Sequence, residues 1–80
     1  MMKPAKYQKA LGMTITERRE KLLIGRVKLA RLVGVGMGYM ASVENGNEDL
    51  RFFEMWCISK ALRMPLSTLL AMAECQEFIM

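Results

Sequence analysis

The chain has 80 residues, of which 52% are apolar and 25% charged, so it can form one modest core and is too apolar to be mainly disordered. No apolar run approaches the roughly 18 to 20 residues that a membrane span needs, and none of signal-peptide length follows the basic first residues. We therefore expect a cytoplasmic protein with no membrane partner.

The net charge of +4 is unevenly distributed along the chain. Residues 1–35 hold nine lysines and arginines against two acids, a balance of +7, whereas residues 36–80 hold three against six, a balance of −3. A basic N-terminal half suits a phosphate-rich partner such as nucleic acid. From charge alone, a nucleic-acid partner and an ordinary solvated surface are about equally supported.

The residues that usually carry catalysis or bind metals are sparse. There is no histidine, which removes the commonest general base and the usual zinc ligand. Cys57 and Cys75 stand 18 positions apart without a CxxC motif, which favours reduced thiols over a disulfide or a zinc site. No glycine-rich phosphate loop is present. The sequence thus indicates no metal and no cofactor, and it favours a binding protein over an enzyme.

The predicted elements begin with a basic N-terminal arm, residues 1–13, followed by one helical domain, residues 14–80. Within the arm, Pro4 and Gly12 bracket a segment that is long enough for a turn or two of helix. Thr14 and Glu17 have the spacing of a capping box. This spacing predicts that the first helix starts near Ile15 and runs to about Leu23.

Glycines then delimit two short helices. Gly25 interrupts the chain before a second predicted helix, Arg26 to Val33, and Gly34 closes that helix at a position that tolerates left-handed geometry. A third helix is predicted from about Met37 to Glu44. Asn45-Gly46 is a strong signal for its end.

Two further helices complete the prediction. The fourth is capped by Asn47 or Asp49 and reaches about Leu62 or Arg63. Pro65 forces a boundary before a fifth helix, which runs from about Leu66 to Gln76. No strand-length alternation appears, so the chain is predicted to be all-α. The helical spacing of the aromatic residues in the fourth helix predicts that they lie in the core; these are Phe52, Phe53 and Trp56.

The segment LARLVGVGMGYMASVENG, Leu29 to Gly46, is similar to the helix-turn-helix of phage repressors and Cro proteins, the XRE-like family. The family pattern is Leu-Ala, then Gly-Val, then Tyr-Ile-Ser-x-Ile-Glu-Asn-Gly, and the match continues without a gap over about residues 15 to 70. The resemblance implies a five-helix, lambda-repressor-like DNA-binding domain. Its third helix would dock in the major groove of double-stranded DNA.

The resemblance also implies a largely buried ion pair between Arg19 on the first helix and Glu44 of Glu-Asn-Gly. The alternative is that both are ordinary surface charges. A buried pair would be a stability site and not a DNA contact, because the loss of one partner leaves an uncompensated charge.

The expected DNA contacts surround the third helix. Family members usually place polar side chains where this chain has Gly-Met-Gly, and two interpretations of that departure stay open. Either the glycines let the backbone approach phosphates closely, or the scaffold serves a protein partner. Arg26 is expected to contact a phosphate from the start of the second helix. The candidate DNA-binding residues are Arg26, Gly36, Met37, Gly38, Tyr39, Ser42, Asn47 and Arg51.

The C-terminal segment is more apolar than one small core requires, which favours a homodimer interface there over a helix that only closes the core. The candidate interface residues are Leu66, Leu69, Leu70, Ala73 and Phe78. The sequence as a whole predicts a small dimeric DNA-binding transcriptional regulator. The alternative is a protein-interaction module of antitoxin or anti-repressor type with weak DNA binding.

Overall fold

The structure, a computed structural model, describes residues 4–80, and the regular structure of this part is entirely helical. The five helices are α1 Pro4–Lys21, α2 Arg26–Val33, α3 Met37–Glu44, α4 Phe52–Ala61 and α5 Leu66–Ile79. The predicted all-α, five-helix fold is therefore confirmed.

The core forms where the five helices converge. α1 packs against α5 and α3, α2 packs against α3 and α4, and α4 packs against α5. Each fully buried aliphatic side chain contributes about 1.5 to 3 kcal/mol to folding. The largest fully buried apolar side chains are Ile15, Leu29, Met40, Ile58, Leu62 and Leu69.

The start of α1 was predicted wrongly. The helix begins at Pro4, so residues 4–13 of the predicted arm are helical, while residues 1–3 lie outside the described residues. Thr14 does not cap a helix: it is buried in the middle of α1, and its hydroxyl donates to the carbonyl of Ala10 at 2.9 Å. That bond satisfies a threonine inside a helix. Ala10 and Leu11 extend the core into the first half of α1.

Two glycines allow α1 to lie directly against the C-terminal end of α3. A Cβ atom on Gly12 would stand 2.5 Å from the carbonyl oxygen of Val43 and 2.6 Å from that of Glu44. Gly46 follows α3 with a left-handed φ of +79°, and a Cβ atom there would stand 2.7 Å from the Cα atom of Lys9. The contact is therefore backbone against backbone, which no larger residue permits.

The aromatic residues of α4 lie on the surface and not in the core, contrary to the prediction. Phe52, Phe53 and Trp56 are 62%, 73% and 45% exposed. α4 buries Ile58 and Ser59 on its other face, so Phe52 and Phe53 face solvent and Trp56 lies partly exposed beside the start of α5. The rings of Phe52 and Trp56 contact each other at a centroid distance of 5.9 Å.

The structure divides the residues predicted to form a dimer interface on α5. Leu69 and Ala73 are buried in the core of the single chain, so the prediction is wrong for these two. Leu66 and Leu70 are half-buried, and of the five candidates only Phe78 is largely exposed. α5 therefore serves chiefly to close the core.

The close approach of α1 to α3 generates a prediction about two glycines. We expect Gly12→Ala to lower the free energy of unfolding by about 2 kcal/mol, because the new methyl group overlaps backbone atoms and must push the helices apart. Gly38→Ala should instead raise it, by up to about 1 kcal/mol, because Gly38 is helical and its Cβ would meet open space. Urea unfolding followed by the fluorescence of Trp56 measures both changes, and effects of the same sign would contradict the prediction.

Candidate nucleic-acid interface

α2 and α3 form a helix-turn-helix whose turn is closed by backbone hydrogen bonds. Gly34 adopts a left-handed φ of +87°, and the N–H groups of Gly34 and Val35 donate to the carbonyl of Ala30 at 2.9 and 3.0 Å. Leu29 and Ala30 are buried where the two helices meet, and the small side chain of Ala30 lets the helices approach closely. The turn glycine thus adopts the geometry that the sequence predicts for it.

The Glu44 carboxylate, at the C-terminal end of α3, joins three helices. Its side chain is only 1% exposed. Arg19 on α1 donates to both carboxylate oxygens, at 2.8 and 3.1 Å, and Thr16 donates to it at 3.2 Å. Arg26 at the start of α2 adds a third charged bond, 3.1 Å from Nε to Oε1. We call these four side chains the Glu44 cluster.

Arg26 has a role that sequence reasoning missed. It was predicted to contact phosphate, but its Nε atom is committed to Glu44. Its side chain nevertheless keeps 37% of its surface exposed at the N-terminus of α2. The structure therefore places Arg26 at the junction between the buried cluster and the surface.

The N-terminal end of α3 is bare and open. Gly36 is the N-cap residue and makes no side-chain cap, and neither Gly36 nor Gly38 has an atom within 4 Å of the position of a Cβ. Met37 between them is 50% exposed. This end of the helix presents backbone N–H groups with partial positive charge, and of residues 36–38 only Met37 has a side chain.

Tyr39 is held inside the structure more than the other candidates. Its hydroxyl donates to the Glu54 carboxylate at 3.0 Å, and Glu54 also accepts the Arg51 backbone N–H at 3.1 Å. Burial, and then the hydrogen bond and charge of Glu54, raise the pKa of Tyr39. Tyr39 therefore links α3 to the first turn of α4, and its hydroxyl proton is engaged by Glu54.

The remaining candidates frame α3 with mixed charge. Ser42 is half-buried, whereas Asn47 and Arg51 are exposed on the segment that joins α3 to α4. That segment also carries Glu48 and Asp49, whose negative charges oppose the attraction of phosphate by Arg51. In the part of the chain that the structure describes, no three acidic or cysteine side chains are grouped to hold a metal ion. No helix of residues 4–80 has the length and hydropathy to cross a membrane.

Comparison with known proteins supports the fold. No protein-family model and no curated protein matches the chain. Two solved structures of the clp gene regulator ClgR from Corynebacterium glutamicum are similar to it. One has a TM-score of 0.88 at 20% identity and covers 91% of this chain and 78% of that chain. The other has a TM-score of 0.84 at 21% identity and covers 88% and 90%. Likeness at this identity concerns the fold alone.

The Glu44 cluster yields a prediction about stability. Glu44→Gln should lower the free energy of unfolding by about 3 kcal/mol, because Arg19, with a side chain only 11% exposed, would keep its charge without a buried counter-ion. Glu17→Gln is the matched control, since Glu17 is exposed and accepts only from Gln76. That control should change stability by less than about 1 kcal/mol. Equal losses in urea unfolding would show that Glu44 is not a special site.

The tyrosines generate a prediction about alkaline pH. Burial raises the pKa of Tyr7 and Tyr39 above the ordinary 10.0, with Asp49 and Glu54 as respective further causes. Because the folded-state pKa is the higher one, the neutral phenols stabilise the fold below pH 10 and lose that contribution as pH rises through the folded pKa. Phenolate absorbance should therefore appear at higher pH in the native chain than in urea, and Tyr39→Phe should remove one such transition. Coinciding titrations in the two states would refute this.

Proposed function

We propose that the protein is a cytoplasmic DNA-binding transcriptional regulator that acts as a homodimer and docks α3 in the major groove of double-stranded DNA. The observation that carries the proposal is the helix-turn-helix itself. α3 is anchored at its C-terminal end by the Glu44 cluster and is open at its N-terminal end. The likeness to ClgR, a clp gene regulator, supports the same role.

The bare end of α3 determines how it would read DNA. Without side chains at Gly36 and Gly38, the helix can approach the groove closely, and its N-terminal N–H groups can meet phosphates. Met37 offers only an apolar contact to a thymine methyl group, which discriminates weakly. Recognition would thus depend on phosphate contacts and on DNA shape more than on hydrogen bonds to bases.

Phosphate contacts come from the two flanks of α3. The exposed part of Arg26 lies at the start of α2, and Asn47 and Arg51 lie beyond the end of α3. These side chains reach the two sides of a groove that holds the recognition helix between them. Tyr39 acts in this scheme as a positioning residue, because its hydroxyl is engaged by Glu54.

Two observations favour a second candidate, a protein-interaction module of antitoxin or anti-repressor type. Met37 is a flexible apolar side chain exposed between two glycines, which suits an adaptable protein contact. The acidic Glu48 and Asp49 beside α3 also suit a protein partner better than a phosphate backbone.

Fluorescence anisotropy separates the two candidates. A labelled duplex from the region upstream of the protein's own gene is compared with a scrambled duplex at two salt concentrations. Preference for the upstream duplex at both salts supports the regulator. Equal or absent binding to both duplexes favours the protein-interaction module.

The phosphate contact proposed for Arg51 has its own test. Arg51→Ala should weaken binding to both duplexes alike and reduce the slope of log K against log salt by about one, because one counter-ion fewer is released. Arg63→Asn is the control: it removes the same charge at the other end of α4, and asparagine tolerates the left-handed φ of 59° at that position. An unchanged slope for Arg51→Ala would remove Arg51 from the interface.

A further inference from the structure

We propose that the exposed aromatic face of α4, formed by Phe52, Phe53 and Trp56, is the homodimer interface, packed antiparallel against the same face of a second copy. The inference rests on the proposed dimeric regulator and names the surface that would join its two chains. It replaces the α5 surface expected from the sequence, where Leu69 and Ala73 turn out to be core residues.

The exposed area is the first argument. Phe52, Phe53 and Trp56 are 62%, 73% and 45% exposed. At the usual surface of aromatic side chains, these fractions leave on the order of 400 Å² open on each chain. Patches of this size are the largest that a monomer usually exposes, and they are often functional. Two copies face to face would bury about twice that area through the rings alone, and residues around the rings must contribute the rest of the roughly 1,200 Å² that a specific interface needs.

The charges at the two ends of α4 select a second copy as the partner. The start of α4 carries Glu48, Asp49 and Glu54 against Arg51, three acids and one base, a balance of −2. The other end carries Lys60 and Arg63, a balance of +2, and the Nζ of Lys60 lies 5.7 Å from the centre of the Trp56 ring. Antiparallel packing across a two-fold axis brings the acidic end of each α4 to the basic end of the other, so the attraction occurs twice. Parallel packing would instead place like charges together.

A cleft provides a place for the rings. It has a volume of about 220 Å³ and lies between the second half of α4 and the start of α5. Its lining residues are Trp56, Ser59, Lys60, Met64, Pro65 and Leu66. In the antiparallel arrangement the first turn of one α4, with Phe52, meets this end of the other. An aromatic ring seated in an apolar cleft is the usual form of an interface hot spot.

The same helix is tied to the proposed recognition helix. Glu54 in the first turn of α4 accepts the hydroxyl of Tyr39 on α3, at 3.0 Å. Joining two copies through α4 would therefore fix the separation of the two α3 helices. A fixed separation is what a regulator needs to meet half-sites about one turn of DNA apart.

Sedimentation equilibrium of the full chain without DNA tests the interface. We expect a dimer whose dissociation constant rises at least about tenfold in Phe52→Ala, because loss of a hot-spot ring costs this much or more. Phe78→Ala, which removes a ring that is 90% exposed on α5, should leave the constant unchanged. Because both side chains are exposed, neither change should unfold the domain, and circular dichroism checks this.

A charge exchange tests the antiparallel geometry. Lys60→Glu should weaken the dimer several-fold, and adding Asp49→Lys in the same chain should restore it. Trp56 is the only tryptophan, so a shift of its emission to longer wavelength on dilution reports exposure of the proposed face. A dimer weakened by Phe78→Ala and not by Phe52→Ala, or no rescue by the second charge, would overturn the proposal.

The interface and the DNA-binding function fail in different ways. A chain that dimerises through α4 but binds neither duplex supports the interface and refutes the regulator. A chain that stays monomeric at all concentrations yet prefers the upstream duplex supports DNA reading and overturns the interface.

Discussion

The buried carboxylate of Glu44 is the interaction on which the arrangement of the first three helices depends. A charge that is 1% exposed is tolerated only when it is paired and hydrogen-bonded, and here two arginines and a threonine surround it. The partners come from α1 and α2, so the cost of burying the charge is met only when all three helices are in place. Arg19 also donates to the carbonyl of Ile24 at 3.0 Å, which ties the link between α1 and α2 to the same cluster.

The two ends of α3 differ in how they are held. At the C-terminal end, Glu44 and the backbone contacts of Gly12 and Gly46 hold the helix against α1. At the N-terminal end, Gly36 and Gly38 leave the backbone unobstructed. Rigidity at one end and openness at the other suit a helix that must project from the domain without moving. On the proposed function, the helix is positioned by the protein interior, and recognition is left to backbone and shape.

Much of this could be predicted from the sequence, because the signals were local. The turn at Gly34 and the end at Asn45-Gly46 depend on backbone preferences of single residues. The start of α1 could not be placed, because the capping spacing at Thr14 competed with an apolar period that continues back to Tyr7. The exposure of Phe53 was also missed, since an all-round apolar helix does not reveal which face meets the core. The ion pair of Arg26 was missed because its partner, Glu44, lies 18 positions away in the sequence.

The two proposals are linked by the weakness of direct readout in a single copy. With Gly-Met-Gly at the start of α3, one domain on the proposed function has few hydrogen bonds that distinguish one base pair from another. Even a good bidentate contact between a side chain and a base contributes only about 1 to 3 kcal/mol of discrimination. Two copies joined rigidly contact two half-sites at once, so their modest preferences add within one binding event. The aromatic face of α4 is connected to α3 through the hydrogen bond between Tyr39 and Glu54. On the two proposals, the spacing of the half-sites would therefore be part of what the protein recognises. On the two proposals, an exposed aromatic face, a liability in a lone soluble domain, compensates for a recognition helix whose Gly36-Met37-Gly38 start has no polar side chain.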